Sequence, residues 1–376
     1  MKAEKIILRD YRSITETDMY FGEGVNLIYG SNGAGKTNVL EAIYSYARGK
    51  SFRGATDRDL VRFGKRGYFT ELTFSDARRR QVLTLAYEQK RRIKKINGMP
   101  TPRLSDMIGR FCAVMFCPEH LDIVKGGPGE RREFLNVAIS QTDSRYIADM
   151  AVCKSATEER NALLRRMQTA ESESAKAELG YQLDVFSEQL ADASVRVIQK
   201  RDVFLRHLAP YAQFFLDEMS RGAEKLEINY DCDVPTEIRH DSAAAKAHLM
   251  RLYDTGRARE VFMGATMYGV HRDDVELVMS GTDVRRFGSQ GQQRSVSLAL
   301  KLAEGEVFFE QRGEYPVYLF DDVLSELDSS RRAYLLSKIK GKQIILTGCD
   351  ADEMLGVKGI TLIRAFGCGD YGSRIK

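Results

Sequence analysis

The sequence predicts an α/β protein in which the two ends of the chain build one sheet-containing lobe, interrupted by a mostly helical segment. Three observations support this fold class. A glycine-rich loop near the N-terminus lies between an apolar run and a helical pattern, residues 130–221 are helical in character, and an apolar run near the C-terminus ends in two acids. Strands and helices in this order are typical of a sheet covered by helices, with a second, helical part.

The glycine-rich loop, residues 30–37, reads GSNGAGKT and matches the P-loop pattern G-x-x-x-x-G-K-[ST] at every fixed position. The preceding Val25–Tyr29 reads as a buried strand, and helical character follows from residue 38. Glycines let successive N–H groups turn toward an anion, so the loop predicts a cradle for the phosphates of ATP. An accidental glycine-rich turn is the alternative, and the matching flanks disfavour it. The predicted ATP-binding residues of this loop are Gly30, Ser31, Asn32, Gly33, Ala34, Gly35, Lys36, Thr37 and Asn38.

Composition indicates an ordinary globular chain. Its 376 residues are 43% hydrophobic and 29% charged, with a net charge of +4 that permits an anionic partner without demanding one. The six cysteines form no C-x-x-C pair, and no secretory signal or membrane-length apolar run is present. The sequence therefore predicts a cytoplasmic protein with reduced thiols and no membrane partner.

The N-terminal part, residues 1–120, reads mainly as strands. Residues 5–8, 68–74 and 81–87 have strand patterns, the last two alternating as in an antiparallel sheet. A basic stretch at residues 90–96 ends in an Asn97-Gly98 turn signal.

The middle part, residues 121–290, is predicted to be a mostly helical second lobe with a short helical hairpin. Apolar residues at 183, 186, 190, 193, 197, 204 and 208 form a stripe that faces a preceding helix over 158–167, with a turn at 168–176. A coiled-coil-like seam and a plain helical core remain equal alternatives for this stripe. Strands return at 275–279, 316–320 and 343–347, and residues 291–376 are assigned to the first lobe.

Two further stretches complete the predicted phosphate site. The apolar run 316–320 ends in Asp321 and Asp322; Asp321 would hold Mg²⁺ with Thr37, and Asp322 would orient or deprotonate the attacking water. Ser289, Gly291 and Gln292 open a predicted helix. They resemble the signature motif of ABC-type ATPases, whose serine contacts a γ-phosphate, although plain helix capping explains a serine there equally well. Residues 325–328, Ser-Glu-Leu-Asp, resemble the D-loop of the same group.

Together these motifs resemble the RecF family, which belongs to the SMC/Rad50-like group of ABC-type ATPases. RecF-like stretches lie at residues 8–12, 49–53, 116–121, 127–135 and 269–274. Tyr11, Asn136 and Val270 depart from the usual phenylalanine, aspartate and proline, and none of them is a phosphate-binding position. The resemblance implies an ABC-type, Rad50-head-like P-loop ATPase lobe with an antiparallel sheet, without the long coiled coil or zinc hook of larger relatives.

The resemblance also implies function. Two heads would sandwich two ATP molecules, with each P-loop facing the partner's signature motif, so the catalytic residues would be Lys36, Asp321, Asp322 and Ser289. Lys36 would contact the β- and γ-phosphates, and Thr347 falls at the switch position. The ATP-dependent homodimer would bind duplex DNA and single-strand/duplex junctions and act with RecO and RecR to help load RecA, with weak, DNA-dependent ATP hydrolysis as the release switch. The expected location is the nucleoid. The predicted DNA contacts are Lys50, Arg53, Lys90, Arg91, Lys94 and Lys95.

Other readings remain open for these residues and for the chain. Each basic stretch alone fits a solvated face or a charged edge strand equally well. An ABC transporter ATPase subunit and an ATP-binding scaffold without turnover are the alternative functions. A small-molecule kinase is disfavoured, because it would leave the signature and D-loop stretches without a role.

Overall fold

The computed structural model describes residues 1–323, 327–338, 340–350, 360–366 and 370–375. Ser325 and Glu326 of the predicted D-loop lie outside these residues. The strands are β1 (Lys2–Tyr11), β2 (Ile14–Tyr20), β3 (Val25–Tyr29), β4 (Tyr68–Ser75), β5 (Arg80–Glu88), β6 (Arg91–Ile96), β7 (Met99–Pro100), β8 (Ala113–Phe116), β9 (Leu226–Asp231), β10 (Asp274–Met279), β11 (Thr282–Asp283), β12 (Val317–Phe320), β13 (Ile344–Gly348), β14 (Thr361–Phe366) and β15 (Asp370–Ile375). The helices are α1 (Lys36–Arg48), α2 (Asp122–Lys125), α3 (Pro128–Thr142), α4 (Ser144–Gln168), α5 (Glu173–Ser220), α6 (Ser242–Met263), α7 (Val284–Phe287), α8 (Gln290–Arg312) and α9 (Ser329–Lys338).

The chain divides into two compact units. The first unit comprises residues 1–121, 215–223 and 297–376, and the second comprises residues 122–214 and 224–296. This division differs from the predicted ranges 1–120, 121–290 and 291–376 in two places. The end of α5 groups with the first unit, and the second boundary falls at residue 296, inside α8. A boundary inside a continuous helix leaves no turn signal in the sequence. The predicted boundary therefore followed the nearest turn signal, which begins at Gly288 and ends at residue 291.

A mixed sheet in the first unit joins both ends of the chain, in the order β15-β14-β3-β13-β12-β8. All its neighbouring pairs are parallel except β14 and β15. Strands β12 and β13 are buried along their whole length, which explains their uninterrupted apolar runs. The predicted strands at 25–29, 316–320 and 343–347 are confirmed within one residue at each end.

The remaining strands of the first unit form an antiparallel sheet of their own, β2-β1-β4-β5-β6-β7. The predicted antiparallel pair, residues 68–74 and 81–87, is confirmed as β4 and β5. The two ends of the chain were expected to share one sheet, but the first unit contains two. The Asn97-Gly98 turn is also confirmed, with φ of 50° and 82°. A second turn of this kind, Gln89-Lys90 with φ of 48° and 62°, connects β5 to β6. This turn could not be predicted from the sequence, because neither residue is glycine, asparagine or aspartate.

The second unit is mostly helical, with a three-stranded sheet β11-β10-β9. Helices α4 and α5 form the predicted hairpin, turning at residues 169–172. Leu163 and Leu164 of α4 pack on Leu179 and Leu183 of α5, and Val261 of α6 packs against the same cluster. A third helix therefore shares the stripe, which makes it a helical core and not a two-stranded seam. Helix α5 is longer than its stripe indicated, at 48 residues with Pro210 inside it.

Buried arginine pairs connect these helices. Arg160 of α4 donates to Glu260 of α6 at 2.8 Å and to Ser187 of α5 at 2.9 Å. Arg201 of α5 pairs with Asp273, and both are almost fully buried. Removing one partner of such a pair leaves a buried charge uncompensated, which costs roughly 3–5 kcal/mol. In the part of the chain that the structure describes, no helix has the length and apolar character needed to cross a membrane.

Candidate nucleotide-binding site

The P-loop joins the end of β3 to the start of α1. Gly30 has a φ of 150°, and a Cβ there would lie 2.5 Å from the carbonyl oxygen of Ala365 in the neighbouring strand β14. Only glycine allows that close approach. Gly35 caps α1 in the left-handed region, with a φ of 89°. The first turn of α1 contains no acidic residue that would oppose a bound phosphate.

Lys36 is the first residue of α1 and folds back over the loop. Its Nζ donates to the carbonyl oxygens of Gly30 at 2.7 Å and Ser31 at 3.1 Å. The ammonium group is therefore held at the mouth of the loop, where phosphate oxygens are better acceptors than neutral carbonyls.

Three side chains from three strand ends meet beside the loop. The Thr37 hydroxyl donates to Oδ1 of Asp321 at 2.8 Å, and the Thr347 hydroxyl lies 2.9 Å from the same oxygen. The Asp322 backbone N–H donates to Thr347 Oγ1 at 3.0 Å. Because β3, β13 and β12 are parallel neighbours, their carboxyl ends deliver these groups to one edge of the sheet. Thr347 thus couples the two acids, a contact that its sequence position did not reveal.

The Asp321 carboxyl is largely buried. Burial raises its pKa, the hydroxyl bonds from Thr37 and Thr347 lower it, and the nearby charges of Glu119 and Asp322 raise it. Glu119 follows β8 in a 3₁₀ turn at Pro118–Leu121. Sequence reasoning recognised the stretch 116–121 but assigned no role to Glu119. Its signal was the position directly after a buried strand, which is where the other acids of the site lie.

Most of the predicted P-loop residues and both predicted acids line a cavity of about 260 Å³, whereas Gly30, Ser31 and Ala34 are not among its lining residues. Ser289, Gly291 and Gln292 belong to the second unit and are described below. One lining residue, Arg53, was predicted to contact DNA. The cavity is lined by Asn32, Gly33, Gly35, Lys36, Thr37, Asn38, Arg53, Asp321, Asp322, Thr347 and Cys349.

A buried carboxylate fixes the position of Arg53. Glu41 of α1 is fully buried and accepts two bonds from Arg12, at 2.7 and 2.9 Å. It also accepts the Ser51 hydroxyl, and Ser51 Oγ in turn accepts the Arg53 N–H at 3.0 Å. The RecF-like stretches 8–12 and 49–53 therefore meet at Glu41, and this contact directs the basic loop toward the P-loop.

The oxygen ligands at this site fit Mg²⁺. A threonine hydroxyl and a carboxylate lie side by side in Thr37 and Asp321, 2.8 Å apart. Mg²⁺ typically takes one or two carboxylates and completes its octahedron with waters and substrate phosphates. Within the described ranges no group of three or more His, Cys, Asp or Glu side chains is placed to hold a metal ion.

Ser289 lies at the N-terminus of α8, in the second unit. The Gln292 N–H donates to Ser289 Oγ at 3.2 Å, and the Ser289 N–H donates to Gln292 Oε1 at 2.9 Å. This is a reciprocal capping box, so the capping interpretation of Ser289 is correct as far as it goes. Gln292 also donates to Glu224 at 2.9 Å, and Gly291 lies in the first turn. A contact from Ser289 to a second subunit's nucleotide stays a prediction.

Asp328, the last residue of the predicted D-loop, caps α9. Its Oδ1 accepts the Arg331 N–H at 2.9 Å, and its side chain also pairs with the Arg331 guanidinium. Hydrogen bonds from Ser330 and Arg331 hold the pKa of this carboxyl well below its usual range.

The predicted DNA contacts do not lie on a single face of the first unit. Lys50, Lys90 and Arg91 are exposed in the first unit. In β6, Arg91 and Lys95 lie on one face of the strand, whereas Lys94 lies on the other and donates to the carbonyl of Pro102 at 2.8 Å. The basic stretch is therefore not one surface.

A P-loop in a mixed sheet, with an acid after a second strand of the same sheet and a separate helical unit, defines an ATPase head of the ABC and SMC class. A family model described as the RecF/RecN/SMC N terminal domain matches residues 2–361. The chain belongs to the RecF family. It is 37% identical to the DNA replication and repair protein RecF of Shouchella clausii over 89% of each chain, and 37% identical to that of Listeria monocytogenes over 91% of each.

Solved structures agree with this assignment. The chain matches a structure of the recombination mediator protein RecF-ATP in the RecFOR pathway with a TM-score of 0.90 and 32% identity, covering 99% of this chain and 97% of the other. An Smc head domain from Pyrococcus furiosus matches with a TM-score of 0.56 at 16% identity, which supports the fold alone. The predicted fold class and family resemblance are both confirmed.

Proposed function

We propose that this chain is an ATP-dependent DNA-binding protein of recombinational repair and replication-fork maintenance. The observation that carries the proposal is the contact between Thr37 and Asp321, 2.8 Å long, inside the cavity of a complete P-loop. Relatives at 37% identity are named for DNA replication and repair, and the RecF structure at 32% identity is described with ATP in the RecFOR pathway. A transporter subunit and a kinase have no comparable support.

The proposed site binds ATP through the P-loop residues 30–38. Lys36 contacts the β- and γ-phosphates, while Thr37 and Asp321 hold Mg²⁺, which neutralises phosphate charge when it is bound. Asp322 orients the attacking water. Arg53 extends into the same cavity, so we assign it to the nucleotide before DNA. An arginine beside the phosphates supplies a fixed positive charge that stabilises the negative charge of the transferring phosphoryl group.

The active form is a dimer of two heads with ATP between them. Ser289, Gly291 and Gln292 of one subunit contact the γ-phosphate held by the other, at the positive end of α8. Dimerisation therefore requires ATP, and hydrolysis of the ATP lets the two heads separate. Turnover is weak and depends on DNA, because its role is to reset the dimer.

The ATP-bound dimer binds DNA at gaps and single-strand/duplex junctions through Lys50, Lys90, Arg91 and Lys95, whereas Lys94 bonds the Pro102 carbonyl on the other face of β6. It acts with RecR and RecO and indirectly with RecA, in the cytoplasm at the nucleoid. The test is crosslinking of purified protein with and without ATP and with and without DNA, beside single-turnover hydrolysis. The proposal expects a crosslinked dimer only with ATP and more of it with DNA. A dimer that forms equally without ATP, or binding of ATP without any turnover, contradicts it.

A further inference from the structure

An aromatic side chain is fully exposed on a basic turn of the first unit. Phe63 occupies the second position of the turn Arg62-Phe63-Gly64-Lys65, which is closed by the Lys65 N–H donating to the Arg62 carbonyl at 3.0 Å. Gly64 has a φ of 79°, as the third position of a type II turn requires. The Phe63 ring is fully exposed to solvent.

The turn is attached firmly to the antiparallel sheet. The Arg62 N–H donates to the carbonyl of Asp10 at 2.8 Å, and the Arg12 N–H donates to the carbonyl of Leu60 at 2.8 Å. Leu60, three residues before Phe63, is buried. The segment therefore has access to the core and uses it for Leu60, while the fixed backbone directs Phe63 outward. Leaving such a ring in water forgoes the stabilisation that its burial would give.

Basic residues precede and follow Phe63 along the chain. Arg62 and Lys65 flank the turn, each 3.5 Å from the carboxylate of Asp10, and Arg66 follows directly. The next residue, Gly67, packs so closely on β5 that a Cβ there would lie 2.1 Å from the carbonyl oxygen of Tyr87. This contact brings the turn beside the β5–β6 connection. We call the following set the basic corner: Arg62, Lys65, Arg66, Lys90 and Arg91.

The chemistry of the basic corner matches a polyanion that presents a flat apolar face. Lysine and arginine neutralise phosphates, and an exposed aromatic ring stacks on an unpaired base. A blunt duplex offers its base faces only at its ends, whereas a single-strand/duplex junction offers the first unpaired base next to a row of phosphates. An anionic membrane surface fits less well, because the turn contributes a single apolar side chain and stable attachment needs a larger apolar area.

We propose that Phe63 stacks on the first unpaired base at a single-strand/duplex junction while the basic corner binds the adjoining phosphates. This inference rests on the proposed DNA-binding function and adds a side chain that tells a junction from continuous duplex. Exclusively electrostatic contacts would not make that distinction, because phosphates are present in both forms.

The experiment compares Phe63→Ala, Phe63→Leu and Phe63→Trp with the unchanged protein, all with ATP. The probes are a blunt duplex, the same duplex with a single-stranded extension, and that extension with abasic sites at its first positions. The expected result is a five- to hundredfold loss of affinity for the extended duplex in the Ala and Leu variants, the range of base–aromatic stacking. Trp retains the affinity, the blunt duplex is bound equally by all four proteins, and the abasic probe is bound by the unchanged protein no better than by Phe63→Ala.

A second readout places the ring at the base. With 2-aminopurine as the first unpaired base, the unchanged protein quenches its fluorescence and Phe63→Leu does not. Because Phe63 is fully exposed, the variants keep the thermal midpoint of the unchanged protein, which serves as the check on folding.

The outcomes separate this inference from the function on which it rests. Junction preference and quenching that survive in Phe63→Ala overturn the role of Phe63 while DNA binding stands. No binding of any DNA by the unchanged protein overturns both. Binding to phosphatidylserine vesicles that depends on Phe63, without a junction preference, overturns the inference in favour of a membrane surface.

Discussion

Thr37 donates its hydroxyl to Asp321 at 2.8 Å although 284 residues separate the two in the sequence. One belongs to the P-loop helix and the other ends strand β12, so the contact closes the phosphate site from both ends of the chain. Thr347 lies 2.9 Å from the same Asp321 oxygen and also accepts the backbone N–H of Asp322. A single buried hydroxyl thus holds the proposed metal ligand and the proposed water-activating acid in fixed relation.

Replacing Thr347 tests this coupling. Thr347→Ala leaves the partly buried N–H of Asp322 without its acceptor, and it also removes a bond to Asp321. We expect single-turnover hydrolysis to fall by roughly tenfold or more while ATP binding changes little. Thr347→Ser keeps the hydroxyl and is the matched control. Equal rates in the Ala and Ser variants would show that the hydroxyl does not position the acids.

The Lys36 Nζ donates hydrogen bonds to the P-loop carbonyls of Gly30 and Ser31. Lys36→Ala removes a charge-assisted contact to phosphate worth ~1.5–3 kcal/mol, so ATP binding should weaken by about ten- to a hundredfold and hydrolysis should disappear. Equilibrium titration with a fluorescent ATP analogue and a turnover assay measure the two effects. Turnover at the unchanged rate would remove the P-loop lysine from the mechanism.

Asp322 sits in the left-handed backbone region, with a φ of 53°. Asparagine adopts this conformation readily, so Asp322→Asn changes the charge without straining the backbone, which alanine would do. Nucleotide binding should be retained because Thr37 and Asp321 remain, and hydrolysis should slow by about 10²–10⁴-fold, as loss of a general base does. The readout is single-turnover hydrolysis at saturating ATP. A normal rate would move the catalytic role to another acid, and Glu119 is a candidate because its charge acts on Asp321.

Sequence alone predicted the parts of the site that are continuous along the chain. The P-loop is one uninterrupted motif, and Asp321 follows a fully buried strand, so local pattern carried both assignments. The position of Arg53 in the lining of the cavity could not be predicted, because it depends on Ser51 bonding Glu41 ten residues earlier, and a buried glutamate in a helix leaves no sequence signal.

Ion pairs between residues far apart in the sequence could not be predicted for the same reason. Arg160 and Glu260 lie 100 residues apart, and Arg201 and Asp273 lie 72 apart, yet each pair is buried. Charged residues are normally exposed, so a sequence reading treats them as surface positions unless a partner is known. The stripe on α5 was visible, but the third helix that covers it was not, because periodicity reports which face is buried and never what buries it.

Ser289 has two proposed roles, and a bulky substitution separates them. Ser289→Arg and Ser289→Ala both break the capping box with Gln292, so each should lower the thermal midpoint by a similar amount, corresponding to ~0.5–2 kcal/mol. Only the arginine adds bulk at the proposed dimer interface. We expect monomeric ATP binding in both variants and loss of the ATP-dependent dimer in Ser289→Arg, measured by sedimentation velocity. A normal dimer in the arginine variant would mean that Ser289 is a helix cap and nothing more.

The basic residues of β6 and of the turn before it should separate into DNA contacts and a structural contact. Lys90 and Arg91 are exposed, whereas Lys94 donates to the carbonyl of Pro102 on the other face of the strand. Each phosphate neutralised adds about −0.9 to the slope of log affinity against log salt. Replacing Lys90, Arg91 and Lys95 with alanine should therefore weaken binding to duplex of any sequence. It should also flatten that slope by up to the contribution of about three phosphates. Lys94→Ala should lower the thermal midpoint and leave the slope nearly unchanged.

The measurement is duplex binding over a salt series, with ATP and without it. If two heads must meet to form the DNA site, each supplies half of the phosphate contacts, so binding should be tighter and the slope steeper with ATP. A variant in which Lys154, Arg165 and Arg166 of α4 become alanine removes three exposed positive charges from the second unit, and it controls for net charge. A slope that is insensitive to ATP and equal in the triple variant and this control would refute a DNA site built from paired heads. The assignment of the nucleotide site would stand, because none of these residues lines the cavity.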